Sequence, residues 1–392
     1  EECCFSGSTL VEDDRVIAMY HGTGAGAGTM VAVADDPLLL TWEKVTGEAV
    51  IKRYHGAPYN VFDPCIWKKG NKYYGILAGR KPTKISGAPR RTHDLFESEN
   101  LADWKYLGEF VEGDDFSAVG DDGACPYFWP LGNKHLLMWF SHRRSSMYFI
   151  GDYDQDRDRF IPRHYGRFSF GPVGPGNIHA PSGCPDPQCK GEVIAIFNVN
   201  PGYHTPGWNQ VMSLPRRLRL LDGDWLGQTP IETVVSLRGE HKRIGLTKLP
   251  ANQEVVLEGI AGNAVEIAAE IDPKGANRVE LNVLRSPDAE EVTRIAFYVN
   301  RGYRGKAPST LVVDTTDTSL ADDIHTRAPD IAPMPFGHDE TLKLQVFIDK
   351  SVIDVFANGK HALTLRVSPR REDSVGVSLR SKGRDAQLNC LD

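Results

Sequence analysis

The sequence predicts an all-β protein in which a β-propeller is followed by a β-sandwich. Short runs rich in Val, Ile, Tyr and Phe, punctuated by Gly, Asn, Asp and Pro, follow one another along nearly the whole chain. A tryptophan-centred turn recurs in the first half and is absent beyond about residue 235. The 392 residues are long for a single domain, so we expect two domains, 1–232 and 233–392.

The recurring turn predicts the propeller. Residues 32–45, "AVADDPLLLTWEKV", and 94–107, "DLFESENLADWKYL", each place an acidic turn and a leucine before a tryptophan, and each follows two apolar strands. Residues 148–164 carry a degraded third copy that ends on Phe160. Repeats of several strands, about sixty residues apart, are typical of propeller blades. The alternative is a sandwich with coincidental Asp/Trp turns.

The second half alternates strands with short turns. In "VFANGKHALTL", residues 355–365, Asn358 and Gly359 separate two strands, and Asn-Gly is the strongest short signal for a hairpin. Strands of this kind without the Trp turn predict a β-sandwich over 233–392.

Composition excludes several classes of partner. A net charge of −7 disfavours nucleic acid, which selects a clustered basic surface. No apolar stretch reaches the ~20 residues of a membrane helix, so no membrane association is expected. The compartment stays open, with a secreted or periplasmic location slightly favoured.

No metal and no organic cofactor are predicted. The seven cysteines are odd in number and widely spread, and Cys184 with Cys189 lacks a second pair at zinc-ligand spacing. "GTGAGAG" at 22–28 fits a loose dinucleotide pattern, but a strand follows it where that fingerprint needs a helix, so it predicts a hairpin.

Several stretches resemble one enzyme family. They are "CFSGS" at 4–8, "FDPCIW" at 62–67, "CPYFWPLGNKHLL" at 125–137, "YFIGDYD" at 148–154, "HAPSG" at 179–183, "LPRRLRL" at 214–220 and "VFIDKSVIDVFANG" at 346–359. With these the chain resembles glycoside hydrolase family 32, the invertases, levanases and other β-fructosidases. The resemblance implies a five-bladed propeller with a C-terminal sandwich. It also implies retaining hydrolysis of β-fructofuranosides (sucrose, inulin or levan type) or of a related glycoside.

A retaining glycosidase needs a nucleophile and an acid/base, both normally carboxylates. In the family a third carboxylate, in an Arg-Asp-Pro triplet, stabilises the transition state, and Asp63 aligns with it. Phe62 replaces the arginine of the triplet, and Ala124 stands where the acid/base glutamate is expected. The nucleophile's motif would precede residue 4. We therefore expect the first blade to be absent from this chain. Either a separate N-terminal segment or chain completes the propeller, or the sequence is a trimmed version of a longer protein.

The remaining candidates surround these positions. Asp122 and Asp121 are the carboxylates near Ala124, and an extended strand would place Asp122 on the face of Ala124. A hydrated Asp-Asp-Gly turn is the alternative.

The resemblance also places four substrate-binding candidates beside Phe62. Phe5 and Ser6 are expected in the pocket, Trp67 as a platform for a sugar ring or as blade core, and His179 at the mouth or as a structural histidine. The rival function is a non-catalytic carbohydrate-binding protein derived from the same fold.

Overall fold

The chain forms strands almost throughout in the computed structural model, which describes residues 2–83, 89–116, 118–299 and 308–392. The first sheet has the order β1–β2–β3–β4, with β5 also paired to β3. Its strands are β1 (Cys4–Val11), β2 (Val16–Gly22), β3 (Gly28–Ala34), β4 (Glu43–Lys44) and β5 (Ile51–Lys52). The glycine-rich stretch joins β2 to β3, so the predicted hairpin is confirmed.

Two further sheets repeat this antiparallel four-strand order. The second consists of β6 (Val61–Lys69), β7 (Lys72–Lys81), β8 (Arg90–Ser98) and β9 (Lys105–Glu109). The third consists of β10 (Ala124–Leu131), β11 (Lys134–Ser141), β12 (Ser145–Asp154) and β13 (Arg159–Arg167). Each is a meander of the length expected for a propeller blade.

A fourth sheet has the order β14–β15–β17–β18, with β16 paired to β15. Its strands are β14 (Ile178–Pro185), β15 (Val193–Val199), β16 (Val211–Met212), β17 (Arg216–Leu221) and β18 (Trp225–Pro230). Short 3₁₀ helices span Asp222–Asp224 and Glu232–Leu237. Among the described residues before 231, these four sheets are the blades, and the expected absence of a first blade stays a prediction.

The second sheet is buried on both faces. Ile66 and Leu77 pack with Ile17 of the first sheet, whereas their neighbours Cys65 and Ile76 belong to the cluster around Trp139 of the third sheet. Because successive side chains of a strand point to opposite faces, one apolar run supplies two cores. This explains why these strands are continuously apolar instead of alternating.

The recurring turn has the same construction in the first two sheets. Trp42 Nε1 donates a hydrogen bond to the carbonyl of Leu39 at 2.9 Å, and Trp104 Nε1 to that of Leu101 at 2.8 Å. Both leucines have positive φ, 55° and 69°. The turn joins the third strand of each sheet to the fourth, so the repeat read from the sequence is a structural repeat.

Residues beyond 246 form two antiparallel six-stranded sheets. One has the order β19–β30–β21–β26–β27–β28 and the other β20–β29–β22–β23–β24–β25. Their strands are β19 (Thr247–Leu249), β20 (Glu254–Ala261), β21 (Ala264–Asp272), β22 (Arg278–Arg285), β23 (Thr293–Tyr298), β24 (Ser309–Asp314), β25 (Asp330–Met334), β26 (Leu342–Asp349), β27 (Val352–Ala357), β28 (His361–Arg366), β29 (Gly376–Lys382) and β30 (Ala386–Leu391). Side chains of both sheets form one apolar core, as in a β-sandwich.

The predicted Asn-Gly hairpin joins β27 to β28. Asn358 and Gly359 have φ of 50° and 62°, and the N–H of Lys360 donates to the carbonyl of Ala357 at 2.9 Å. Positive φ at both central residues is the requirement of a type I′ turn. The all-β propeller–sandwich prediction is confirmed.

Two compact units divide the chain. One comprises residues 1–167 and 180–193, and the other 168–179 and 194–392. The predicted domain boundary after residue 232 stays a prediction. In the described part of the chain, no helix has the length and apolar character needed to cross a bilayer.

Candidate active site

A β-bulge interrupts the first strand of each of the first three sheets. The bulge in β1 includes Ser6, that in β6 includes Asp63, and that in β10 includes Cys125. These three strands lie next to one another. A bulge leaves a residue unpaired and turns its side chain in a new direction, which is why bulges are common beside active sites. Three consecutive sheets therefore each contribute a bulge residue to one region of the structure.

The bulges hold two side-chain-bearing residues in the left-handed region. Asp63 has φ of 37° and Cys125 has φ of 50°. A residue with a Cβ rarely adopts this conformation, which costs on the order of 1–3 kcal/mol. Such strain persists where the surrounding structure enforces it, and it concentrates at functional sites.

Hydrogen bonds join the three bulges. The main-chain N–H of Cys125 donates to Asp63 Oδ2 at 3.0 Å, and Cys125 Sγ lies 3.5 Å from the same oxygen. The thiol donates to Ser6 Oγ at 3.2 Å. Within the described residues, Asp63 Oδ1 accepts no hydrogen bond, so this oxygen remains able to accept one from a bound molecule.

Burial sets the ionisation of this cluster. It raises the pKa of Asp63, an effect that the hydrogen bonds from Cys125 oppose and the charge of Asp122 reinforces. It also raises the pKa of the Cys125 thiol to about 12, with a further contribution from Asp63. The thiol is therefore protonated at neutral pH and acts as a hydrogen-bond donor.

Asp122 is held by the side chains of Arg80 and His142. Its Oδ2 accepts from Arg80 Nη2 at 2.9 Å and from His142 Nδ1 at 2.6 Å, and its Oδ1 accepts from the main-chain N–H of His142 at 3.2 Å. Burial acts to raise the pKa of Asp122, but the contacts with His142 and Arg80 outweigh it and leave that pKa below its ordinary value. Asp63 and Asp122 thus interact electrostatically while their pKa values shift in opposite directions.

The turn before β10 determines where Asp122 points. Gly123 has φ of 63° and a Cβ there would lie 2.7 Å from the Arg91 side chain, so only glycine fits. The buried His93 holds this turn, with its Nε2 3.2 Å from the carbonyl oxygen of Gly123. The expectation that an extended strand aligns Asp122 with Ala124 is wrong, because β10 begins only at Ala124.

Asp121 is engaged in a different contact. Its carboxylate accepts from Arg91 Nε at 3.2 Å and from the main-chain N–H of Gly123 at 3.3 Å. Arg91 is buried, stacks on Trp139 at 4.4 Å and also pairs with Asp114 at 2.7 Å. The structure therefore separates the two adjacent aspartates, one in a buried ion pair and the other beside Asp63.

Phe62 lies under a guanidinium. The Arg80 guanidinium carbon is 5.2 Å from the centroid of the Phe62 ring, within the range of a cation–π contact. Arg80 reaches this position from β7, the strand paired with β6. A positive charge is thus present near residue 62 although residue 62 is not itself an arginine.

The other predicted binding residues lie in different surroundings. Phe5 is 57% exposed, with its ring centroid 6.4 Å from that of His21, and Ser6 belongs to the bulge cluster. Trp67 stacks on Tyr74 at 5.7 Å within the aromatic core, so the structure does not bring it to Asp63. His179 is half-buried on β14 and belongs to the other compact unit, and its role stays a prediction.

Sequence reasoning missed Arg80 and His142. Both lie at or just beyond the end of the second strand of a sheet whose first strand carries a motif residue. His21, near the end of β2, has the corresponding position in the first sheet. The signal available in the sequence was a polar residue at or just after the end of the second strand of each sheet.

One cluster of potential metal ligands lies elsewhere in the described residues. Ligand atoms of Asp186, Cys189 and Glu192 lie within 4.8 Å of one another. Asp186 Oδ1 accepts the main-chain N–H groups of Gln188 and Cys189 at 2.8 and 3.2 Å. Through these hydrogen bonds the Asp186 side chain stabilises the turn to which it belongs.

Comparison with known families identifies the chain. Residues 1–230 match the profile of the glycosyl hydrolases family 32 N-terminal domain, and residues 233–392 match that of the family 32 C-terminal domain. The chain belongs to glycosyl hydrolase family 32. The resemblance read from the motifs is therefore confirmed.

Relatives in family 32 include enzymes with established names. The chain is 25% identical to the levanase of Bacillus subtilis over 96% of its own length and 57% of the levanase. It is 27% identical to the cell wall β-fructofuranosidase of Zea mays, over 98% of this chain and 74% of that enzyme. Thus the chain spans less than two thirds of the levanase.

Solved structures of family 32 share the fold. Fructan 1-exohydrolase IIa from Cichorium intybus superposes with a TM-score of 0.85 at 19% identity, over 99% of this chain and 82% of that one. A variant of the same enzyme, solved in complex with 1-kestose, superposes with a TM-score of 0.83 at the same identity. At this identity the likeness concerns the fold alone.

Proposed function

We propose that the protein is a glycoside hydrolase that cleaves β-fructofuranosides of the sucrose, inulin or levan type. One observation carries this proposal. Asp63, which has the position of the family's stabilising aspartate, accepts a hydrogen bond from Cys125 in the bulge of the neighbouring sheet. The family relatives named levanase and β-fructofuranosidase support the substrate class.

Asp63 stabilises the transition state in this proposal. One carboxylate oxygen is fixed by Cys125, which leaves Oδ1 to accept hydrogen bonds from sugar hydroxyls. Hydroxyl hydrogens become more positive as charge develops at the anomeric carbon, so these hydrogen bonds strengthen in the transition state. Burial raises the interaction energy, because little water screens it.

Of the two adjacent aspartates, Asp122 supports proton transfer together with its hydrogen-bonded partner His142, and Asp121 does not. The charge of Asp122 acts on Asp63, which supports a place for both carboxylates in one site. Asp121 instead pairs with the buried guanidinium of Arg91.

Retaining hydrolysis also needs a nucleophilic carboxylate beside Asp63. In the family the nucleophile's motif precedes the stretch that matches residues 4–8. A separate N-terminal segment or chain would complete the propeller and bring that carboxylate to Asp63. Attack from it would give retention of configuration by double displacement.

Two further side chains bind the sugar, and a third supports Arg80. Ser6 keeps its own hydroxyl hydrogen for donation, because its Oγ accepts from Cys125. The exposed Phe5 ring offers an apolar face to the sugar. Phe62 contributes by supporting Arg80, whose guanidinium replaces the charge that an arginine at position 62 would bring.

Hydrolysis of sucrose, inulin and levan by the purified protein, with its intact mass measured on the same sample, tests the proposal. We expect release of reducing sugar, and we expect the Asp63→Asn variant to lose it by at least about 10²-fold while melting at the same temperature. Saturable sugar binding without release would overturn the proposal in favour of a carbohydrate-binding protein. A mass above 43.4 kDa, or a co-purifying fragment, would support a further segment that contributes the nucleophile.

A further inference from the structure

We propose that His142 is the acid/base of this site and that Asp122 acts through it as a positioning carboxylate. The inference rests on the proposed hydrolase function and deepens it, because it assigns the proton-transfer role that Ala124 cannot fill. Neither the family motifs nor the sequence reading points to this residue.

The strand register brings His142 to Asp122. Ala124, the first residue of β10, pairs with Phe140 of β11. His142 directly follows β11, and Asp122 lies two residues before β10. The hydrogen bonds between Asp122 and His142 join the two segments just beyond the end of the ladder. The acid/base position of the family and His142 therefore lie at the same end of one strand pair.

Asp122 fixes both the place and the tautomer of the imidazole. One carboxylate oxygen accepts the main-chain N–H of His142 at 3.2 Å and the other accepts Nδ1–H at 2.6 Å. An ionised carboxylate only accepts, so Nδ1 carries hydrogen and proton exchange takes place at Nε2. This is the histidine–carboxylate arrangement of acid/base catalysis, in which the carboxylate orients the ring and stabilises its charged form.

The two side chains differ in access to solvent. The Asp122 side chain is 6% exposed, whereas that of His142 is 61% exposed. A substrate that enters from solvent can therefore reach the imidazole more readily than the carboxylate behind it. The Phe140 ring, whose centroid is 5.0 Å away in an edge-to-face contact, limits the movement of the imidazole.

The charges around His142 favour the protonated form of its ring. The hydrogen bond to Asp122 raises the pKa of His142, and the charge of Asp63 adds to that effect. Partial burial and the Arg80 guanidinium oppose it. Because the pKa of Asp122 is lowered, that carboxylate is ionised at neutral pH and has no proton to donate.

Both steps of retaining hydrolysis balance when His142 gives and takes up the proton. The nucleophilic carboxylate forms a bond to the anomeric carbon while the glycosidic C–O bond breaks, and the departing oxygen receives its electron pair and the Nε2 proton. Neutral imidazole remains. Water then attacks the anomeric carbon and gives a proton to Nε2, while the bond to the nucleophile breaks and returns the carboxylate.

His142→Gln in the full-length active protein tests the inference, because glutamine keeps a donor but cannot be protonated. We expect kcat on sucrose to fall by roughly 10²–10⁴-fold. An aryl β-fructofuranoside, whose phenolate leaves without a proton, should lose less than about tenfold in its first step. His338→Gln is the matched control, since His338 also bonds an aspartate through Nδ1, at 2.8 Å, but lies in an exposed loop.

Asp122→Asn supplies a second readout. It removes the charge that raises the pKa of His142, so the basic limb of the kcat/KM profile should move to lower pH, in a folded protein. Equal losses on both substrates, or an unmoved basic limb, would overturn the role of His142. A wild-type protein that releases no sugar would overturn the proposed function and this inference together, whereas full activity in His142→Gln would overturn only the inference.

Discussion

The main-chain N–H of Cys125 donates a 3.0 Å hydrogen bond to Oδ2 of Asp63, across the boundary between two sheets. Both residues lie in bulges, and both have positive φ. The contact satisfies a buried donor and fixes one of the two carboxylate oxygens. The Asp63 carboxylate and the N–H group that fixes it therefore come from positions 62 residues apart in the sequence.

Replacement of Asp63 should separate its structural from its chemical role. Asp63→Asn keeps an acceptor for the N–H of Cys125, whereas Asp63→Ala leaves this donor unpaired. We expect the alanine variant to be less stable than the asparagine variant by about 1–3 kcal/mol in urea unfolding, with both inactive. Asp152→Ala, which removes exposed ion pairs to Lys134 and Arg163, should change stability by less than about 1 kcal/mol. Equal stability of the two Asp63 variants would contradict the role of this hydrogen bond.

The adjacent aspartates should have opposite phenotypes. Asp121→Asn removes a partner of the buried Arg91, and we expect a loss of about 3 kcal/mol with activity retained per folded molecule. The partners of Asp122, Arg80 and His142, are themselves exposed. We therefore expect Asp122→Asn to change the free energy of unfolding by less than about 1 kcal/mol and to lower activity at least tenfold. Thermal unfolding and initial rates on the same samples measure both. The reverse pattern would assign proton transfer to Asp121.

Buried thiols should resist alkylation. Burial raises the pKa of Cys65 to about 11 and that of Cys125 to about 12, so at pH 8 almost no thiolate is present at either residue. Iodoacetamide followed by peptide mass mapping should modify the exposed Cys3 and Cys4 and leave these two intact. In urea all four should react. Rapid native labelling of Cys125 would mean that its bulge opens.

Two buried histidines should make the protein sensitive to acid. Burial lowers the pKa of His93 to about 3 and that of His361 to about 4, below the ordinary value of 6.5. Between these values the unfolded chain binds protons that the native state does not, so stability falls as the pH drops from about 6.5 toward 3. One such proton corresponds to up to about 1.4 kcal/mol per pH unit.

His93→Gln keeps a donor for the Gly123 carbonyl and removes the titration. Between pH 7 and pH 5 it should lose about 2 kcal/mol less of its free energy of unfolding than the wild type does. His338→Gln, which replaces an exposed histidine, is the control substitution. A parallel pH dependence in wild type and His93→Gln would show that His93 is protonated in the native state.

The sequence predicts what depends on local chemistry. Strands, the Trp turn, the Asn-Gly hairpin and the position of Asp63 all follow from residues near one another in the chain. Arg80 and His142 did not, since their contacts with Asp122 span 42 and 20 residues and arise from strand register. The sequence also did not show to which face of its strand Trp67 points. Trp67 is four residues from Asp63, and only the packing of two sheets shows that its ring lies in the aromatic core.

The chain of contacts from Ser6 through Cys125 to Asp63 crosses three sheets, and none of them contains the site alone. A small rotation of one sheet against its neighbour would lengthen these bonds before any strand unfolds. Activity should therefore respond to loosened packing earlier than the circular dichroism of the strands does. The same geometry makes the blades poor modules for exchange between relatives, because a transplanted blade brings only one third of the arrangement.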